Sequence, residues 1–98
     1  MVVGVVVCEL HIPEARSLKE KRKVVKRLVE RAHQRFRVSV AETGFHDLHQ
    51  RAEISIAAVG QRESEMEELL ESLHRLFEEQ SEAFVSNWKA SLLHEEMI

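Results

Sequence analysis

Ten of the fourteen lysines and arginines in this chain fall between Arg16 and Arg37, and eight of them sit in one helical stretch: Lys19, Lys21, Arg22, Lys23, Lys26, Arg27, Arg31 and Arg35. At 3.6 residues per turn Lys19, Lys23 and Lys26 share one side while Arg27, Arg31 and Arg35 lie further round, so cations cover most of the solvent face. Clustered cations gain affinity for polyanions by displacing counterions, which makes this stretch a candidate phosphate-backbone contact surface. An intramolecular reading is equally physical. Glu65, Glu67, Glu68, Glu71, Glu78 and Glu79 project from a later helical stretch and could meet the cations as exposed ion pairs, each of small value.

Lys21 and Arg22 differ from the rest of the basic run because they flank the apolar stripe in the first helical turn. Their aliphatic stems are expected to pack on the sheet edge, with the heads reaching either the loop after the first strand or the connection at 44–50. A cation at a helix N-terminus opposes the helix dipole and calls for an anionic partner, either a carboxylate such as Glu42 or a bound phosphate. Other reactive types are sparse. His46 and His49 flank Asp47 in a loop, too few ligands for a metal centre, and no metal site is expected. Cys8 alternates onto the core side of its strand, where it reads as a small hydrophobe and not as a nucleophile. There is no Gly-rich phosphate loop, paired-carboxylate set or Ser/His/Asp constellation, so no catalytic residue and no cofactor is expected.

The elements that carry these residues follow from periodicity. Val2 to Ile12 is rich in β-branched residues and keeps Val2, Val6, Cys8, Leu10 and Ile12 apolar while Glu9 and His11 are polar, which predicts a strand ended by Pro13. Ser17-Leu-Lys-Glu20 has the form of a capping box and opens a helix to about Phe36, with Leu18, Val25, Leu28, Val29, Ala32 and Phe36 as its buried stripe. Arg37–Thr43 and Arg51–Gly60 alternate as a pair of strands joined by the long connection 44–50. A second capping box, Ser64-Glu-Met-Glu67, is expected to open a helix whose stripe is Met66, Leu69, Leu70, Leu73, Leu76 and Phe77. The stretch from about Ala83 to His94 places Phe84, Trp88, Ala90 and Leu92 on one face as a fourth strand.

Strand, helix, strand, strand, helix, strand predicts an α+β, ferredoxin-like split βαβ sandwich: a four-stranded antiparallel sheet with both helices on one face, in a single domain over residues 1–98. That frame assigns no function by itself. Its other face would carry Val3, Val5 and Val7 from the first strand, Ala57 and Val59 from the third and Leu93 from the fourth, an aliphatic patch that suits a homodimer interface. The two central strands contain no Phe, Tyr or Trp, so a base-stacking single-strand reader is not expected.

With 98 residues, 44% hydrophobic and 32% charged, the chain suffices for one domain and has little room for an enclosed cofactor cavity. One cysteine excludes a disulfide framework within the chain. The apolar opening is too short to cross a bilayer and lacks a basic leader, so a cytoplasmic protein with no membrane partner is expected. The net charge of −3 divides into +5 over residues 1–51 (11 Lys/Arg, 6 Asp/Glu) and −8 over residues 52–98 (3 Lys/Arg, 11 Asp/Glu).

Ser17-Leu-Lys-Glu-Lys-Arg22, Ser39-Val-Ala-Glu-Thr-Gly44 and Asp47-Leu-His-Gln-Arg-Ala-Glu-Ile54 together resemble the signature segments of the bacterial YlxP-like family, with His49 standing where many members have Trp. The resemblance implies a ferredoxin-like domain with no activity to carry over. Genes of the family often sit near those for translation initiation, transcription antitermination and ribosome-maturation factors, which implies a ribosome- or RNA-related role. In that setting Lys19, Lys23, Lys26, Arg27 and Arg31 are the expected contacts to ribosomal or structured RNA. Lys21, Arg22, Glu42 and Arg51 are expected to form a polar cluster orienting the first helix against the hairpin. The alternative is a homodimeric interaction or ligand-sensing module without a nucleic-acid partner. An acylphosphatase-like hydrolase would need an arginine-bearing Gly-rich loop where this chain has Pro13-Glu-Ala-Arg16.

Overall fold

The computed structural model describes all residues, 1–98, as β1 (Val2–His11), α1 (Leu18–Arg35), β2 (Ser39–Gly44), β3 (Arg51–Gly60), α2 (Glu63–Glu79), β4 (Phe84–His94) and a short 3₁₀ turn (Glu95–Met97). The strands form one antiparallel sheet in the order β2-β3-β1-β4, an α+β ferredoxin-like arrangement. β1 lies at the centre, paired along its whole length with β3 on one side and β4 on the other. The core sits between sheet and helices. Val2, Val6, Cys8 and Leu10 of β1 and Ala52, Ile54, Ile56 and Ala58 of β3 face Val24, Val25, Leu28 and Ala32 of α1 and Met66, Leu70, Leu73, Leu76 and Phe77 of α2.

Gly4 also points to the core side, and there the missing side chain matters. A Cβ at this position would lie 2.5 Å from Met66 Sδ and 3.2 Å from Leu70 Cδ1, and the Met66 methyl is already held against Gly60. The glycine therefore lets α2 approach β1. Gly4→Val should cost about 1–3 kcal/mol through overpacking, read as a lower urea midpoint, and an unchanged midpoint would show that Met66 swings aside freely.

Three local expectations are corrected. The buried stripe of α1 is Lys21, Val24, Val25, Leu28 and Ala32, whereas Leu18, Val29 and Phe36 are only half-buried, because the helix rolls to put Lys21 against the sheet. α2 starts at Glu63 with Arg62 as its cap residue and no side-chain cap, so Ser64 lies inside the first turn and its capping box does not form. In β4 the register slips between Glu9 and Leu10: Asn87 opposes Glu9, but Val85 opposes Leu10. The extra residue, Ser86, turns its hydroxyl to the Glu9 carbonyl and sends Phe84 to the open face, where it is exposed, while Val85 packs with Trp88 and Leu92 against the core.

Candidate functional site

Lys21 is the only charged side chain among the buried residues and is 0% exposed. Helix α1 delivers it from its first turn, which Ser17 fixes by accepting a hydrogen bond from the Glu20 backbone N–H at 3.1 Å. The Glu20 carboxylate reaches back one residue further than a capping box requires and accepts from the Arg16 N–H at 2.5 Å. With that turn anchored, the Lys21 ammonium donates to the carbonyls of Phe45 (2.8 Å), Arg51 (3.2 Å) and His46 (3.4 Å), and Glu42 Oε2 lies 3.0 Å away. Those three carbonyls take the ammonium's donors, so Glu42 Oε2, itself buried, is held by charge and has no aligned hydrogen-bond donor.

The receiving loop is shaped for this ammonium. Phe45 adopts φ 58°, the left-handed region that a bulky residue enters at a cost, and its carbonyl serves both Lys21 and the Leu48 N–H. The Phe45 ring is covered by the Arg51 guanidinium at 4.0 Å, which also pairs with Glu9 on the open face of the sheet. Lys21, Glu42 and the backbone of Arg51 are thus brought together, and the Arg51 side chain contributes from the other side. Arg22 stays apart: it is exposed on α1, one residue round from the buried stripe, and belongs to the solvent face.

Lys19, Lys23, Lys26, Arg27 and Arg31 are all exposed along α1 and span about 18 Å of helix axis. Arg27 forms a two-pronged pair with Glu82 in the α2–β4 connection. The other four have no carboxylate within ion-pair distance; Glu20 and Glu30 are the two exposed acids among them, and the Glu20 carboxylate is turned back to the Arg16 N–H. The acidic helix finds its partners at home instead: Glu65 with Arg62, Glu71 with Arg75, Glu78 with His74 and Glu63 with His94. The two oppositely charged helices therefore do not neutralise each other. α1 comes closest to β2, and α2 to β4 and β1, so the molecule is basic along one side and acidic along the other.

On the open face Val3, Val5 and Leu93 are half-buried, Ala57 is exposed, and Val7 and Val59 are 42% and 73% exposed. Val59, Val3 and Leu93 stand abreast across β3, β1 and β4, as do Ala57 and Val5 one step along. His46 and His49 are not part of any ligand group: His46 Nε2 lies 3.2 Å from the Glu42 carbonyl, and His49 is exposed. Burial pushes the Cys8 thiol up to about 12, well above a reactive range. What sequence reasoning missed is an edge groove between α2 and β4 in which His74 stacks on Trp88, ring centroids 4.4 Å apart and planes within 5°. The fourth strand's alternation flagged Trp88, but nothing in the sequence linked it to His74.

The model of the family described as "Protein of unknown function (DUF503)" matches residues 3–90 of the chain. The chain is also similar to the protein described as "Uncharacterized protein YlxP" from Bacillus subtilis (strain 168), at 43% identity over 72 aligned residues, a match that covers 69% of this chain and 78% of that protein.

Proposed function

The chain belongs to the DUF503 family of YlxP-like proteins, and from its surface chemistry we propose that it is a non-enzymatic, cytoplasmic, RNA- or ribosome-associated protein that contacts phosphate backbone through α1. The observation that carries this reading is the set of four exposed cations, Lys19, Lys23, Lys26 and Arg31, left without a carboxylate although an acidic helix lies in the same layer. Unpaired cations keep their full counterion release for a polyanion, and the acidic α2 side keeps that polyanion on one flank. Arg27 takes part only by exchanging Glu82 for phosphate. The contact is to backbone, since α1 exposes no Phe, Tyr or Trp for bases to stack on and His33 is its one exposed ring.

The test is anisotropy of a labelled ribosomal RNA hairpin over a salt series. Lys19→Gln/Lys23→Gln/Lys26→Gln should weaken binding about tenfold and lower the salt slope by roughly 2–3. Unaltered affinity and slope in the triple variant would overturn the reading. A homodimer through the open sheet face is the second reading, favoured by the exposure of Val59 and Val7.

A further inference from the structure

β4 is an edge strand of 11 residues whose only strand partner is β1, so every second residue turns its N–H and C=O outward. Proteins blunt such edges with proline, charge, bulges or a cover. Here the one bulge is confined to the start of the strand, the chain's single proline is Pro13, and Lys89 is the one strand charge apart from histidine. From Asn87 to His94 the register is regular. Along this edge runs a groove of about 360 Å³ between α2 and β4, with Leu70, Trp88 and Leu92 on its floor and Glu67 and Glu71 on its rim. Glu67 has no cationic partner, and Glu71 has only the exposed Arg75 at 3.6 Å.

We propose that the free edge of β4 and this groove form a docking site for an extended segment of a partner protein in which basic and aliphatic residues alternate, added to the sheet as a fifth strand. Outward backbone groups of β4 would supply main-chain hydrogen bonds, as in other strand-addition complexes. Side chains of an added strand alternate between the two faces. Those on the helix side meet an apolar floor with carboxylates beyond it, which suits Lys or Arg: the stem lies on Leu92 and beside the Trp88 ring, one face of which His74 covers, and the head reaches Glu67 or Glu71. Those on the other side continue the open face beside Leu93 and Ser91, where aliphatic residues fit. Charge disfavours a second copy of this chain, because β4 against β4 would bring two acidic α2 helices side by side. The site lies on the flank opposite α1 and does not depend on the RNA reading.

Trp88 is the only tryptophan, so intrinsic fluorescence reports this groove and nothing else. The probes are synthetic nonapeptides alternating Lys with Val or Glu with Val, and the Lys/Val peptide with a central proline, added to the full chain. The Lys/Val peptide should shift Trp88 emission saturably and slow hydrogen exchange at β4 amides, and the proline peptide should bind at least about tenfold more weakly. Glu67→Lys/Glu71→Lys should transfer the preference to the Glu/Val peptide. Four results would overturn the proposal: no binding by the Lys/Val peptide, equal binding by the acidic one, binding without β4 protection, or β4 amides already protected by self-association in sedimentation without peptide.

Discussion

Lys21→Met should destabilise the fold by about 3–5 kcal/mol, a large part of the stability available to a domain of this size. Methionine follows the lysine stem as far as Cε and lacks only the Nζ atom, so little of the loss is packing. The substitution removes the cation on which the Phe45, His46 and Arg51 carbonyls converge and leaves Glu42 Oε2, itself buried, without its counter-charge. An unpaired buried acceptor or charge costs far more than the net value of the bond it lost. The ammonium is also what repays the left-handed Phe45, since the strained turn aims that carbonyl at Nζ. Lys21→Arg should fail almost as badly, because a planar guanidinium cannot direct three donors at carbonyls gathered around one point. Lys21→Met/Glu42→Leu should regain part of the loss by removing the orphaned charge. Urea unfolding of the four proteins measures this, and a loss below about 1 kcal/mol for Lys21→Met would show that the carbonyls are satisfied by other means.

The same residue marks how far the sequence could be read. Strand and helix order were legible because β1 alternates cleanly and each helix carries an apolar stripe, and the Ser17 cap was legible because capping is local. The partnership of Lys21 with Glu42 and the 44–50 connection could be anticipated from a cation at a helix N-terminus. Its complete burial could not, since that depends on a roll of α1 that the sheet imposes. The failures are tertiary in origin. Ser64 has the right spacing for a cap, but β3 hands over to α2 two residues too early for it to act. The Ser86 bulge reverses Phe84 and Val85 through the pairing of β1 with β4, and no local pattern in Phe84–His94 announces it. Whether the charged helices neutralise each other was undecidable from composition: it turns on α1 lying toward β2 and α2 toward β4, so that no carboxylate of α2 reaches a cation of α1 and on that side only Glu82, in the connection after α2, does so.

Cys8 should make the protein sensitive to alkali in a way that one substitution abolishes. The thiol is fully buried, opposite Ile54 on β3 and Trp88 on β4, and desolvation raises it from 9.0 to about 12. Below pH 9 the thiol is protonated in both folded and unfolded chains and its contribution is fully present. Between 9 and 12 the unfolded chain releases this proton while the folded chain retains it, so stability falls as pH rises. By pH 11 the loss from this group is about 2–3 kcal/mol. Cys8→Val keeps a small apolar residue in the strand and removes the titration. The chain has no tyrosine, and lysine ionisation is common to both proteins, so the difference between them isolates the thiol. Urea midpoints at pH 7 and pH 11 should therefore diverge, with the variant holding the greater share of its neutral-pH stability. Parallel declines in the two proteins would mean that the core around Cys8 opens to water before the fold is lost.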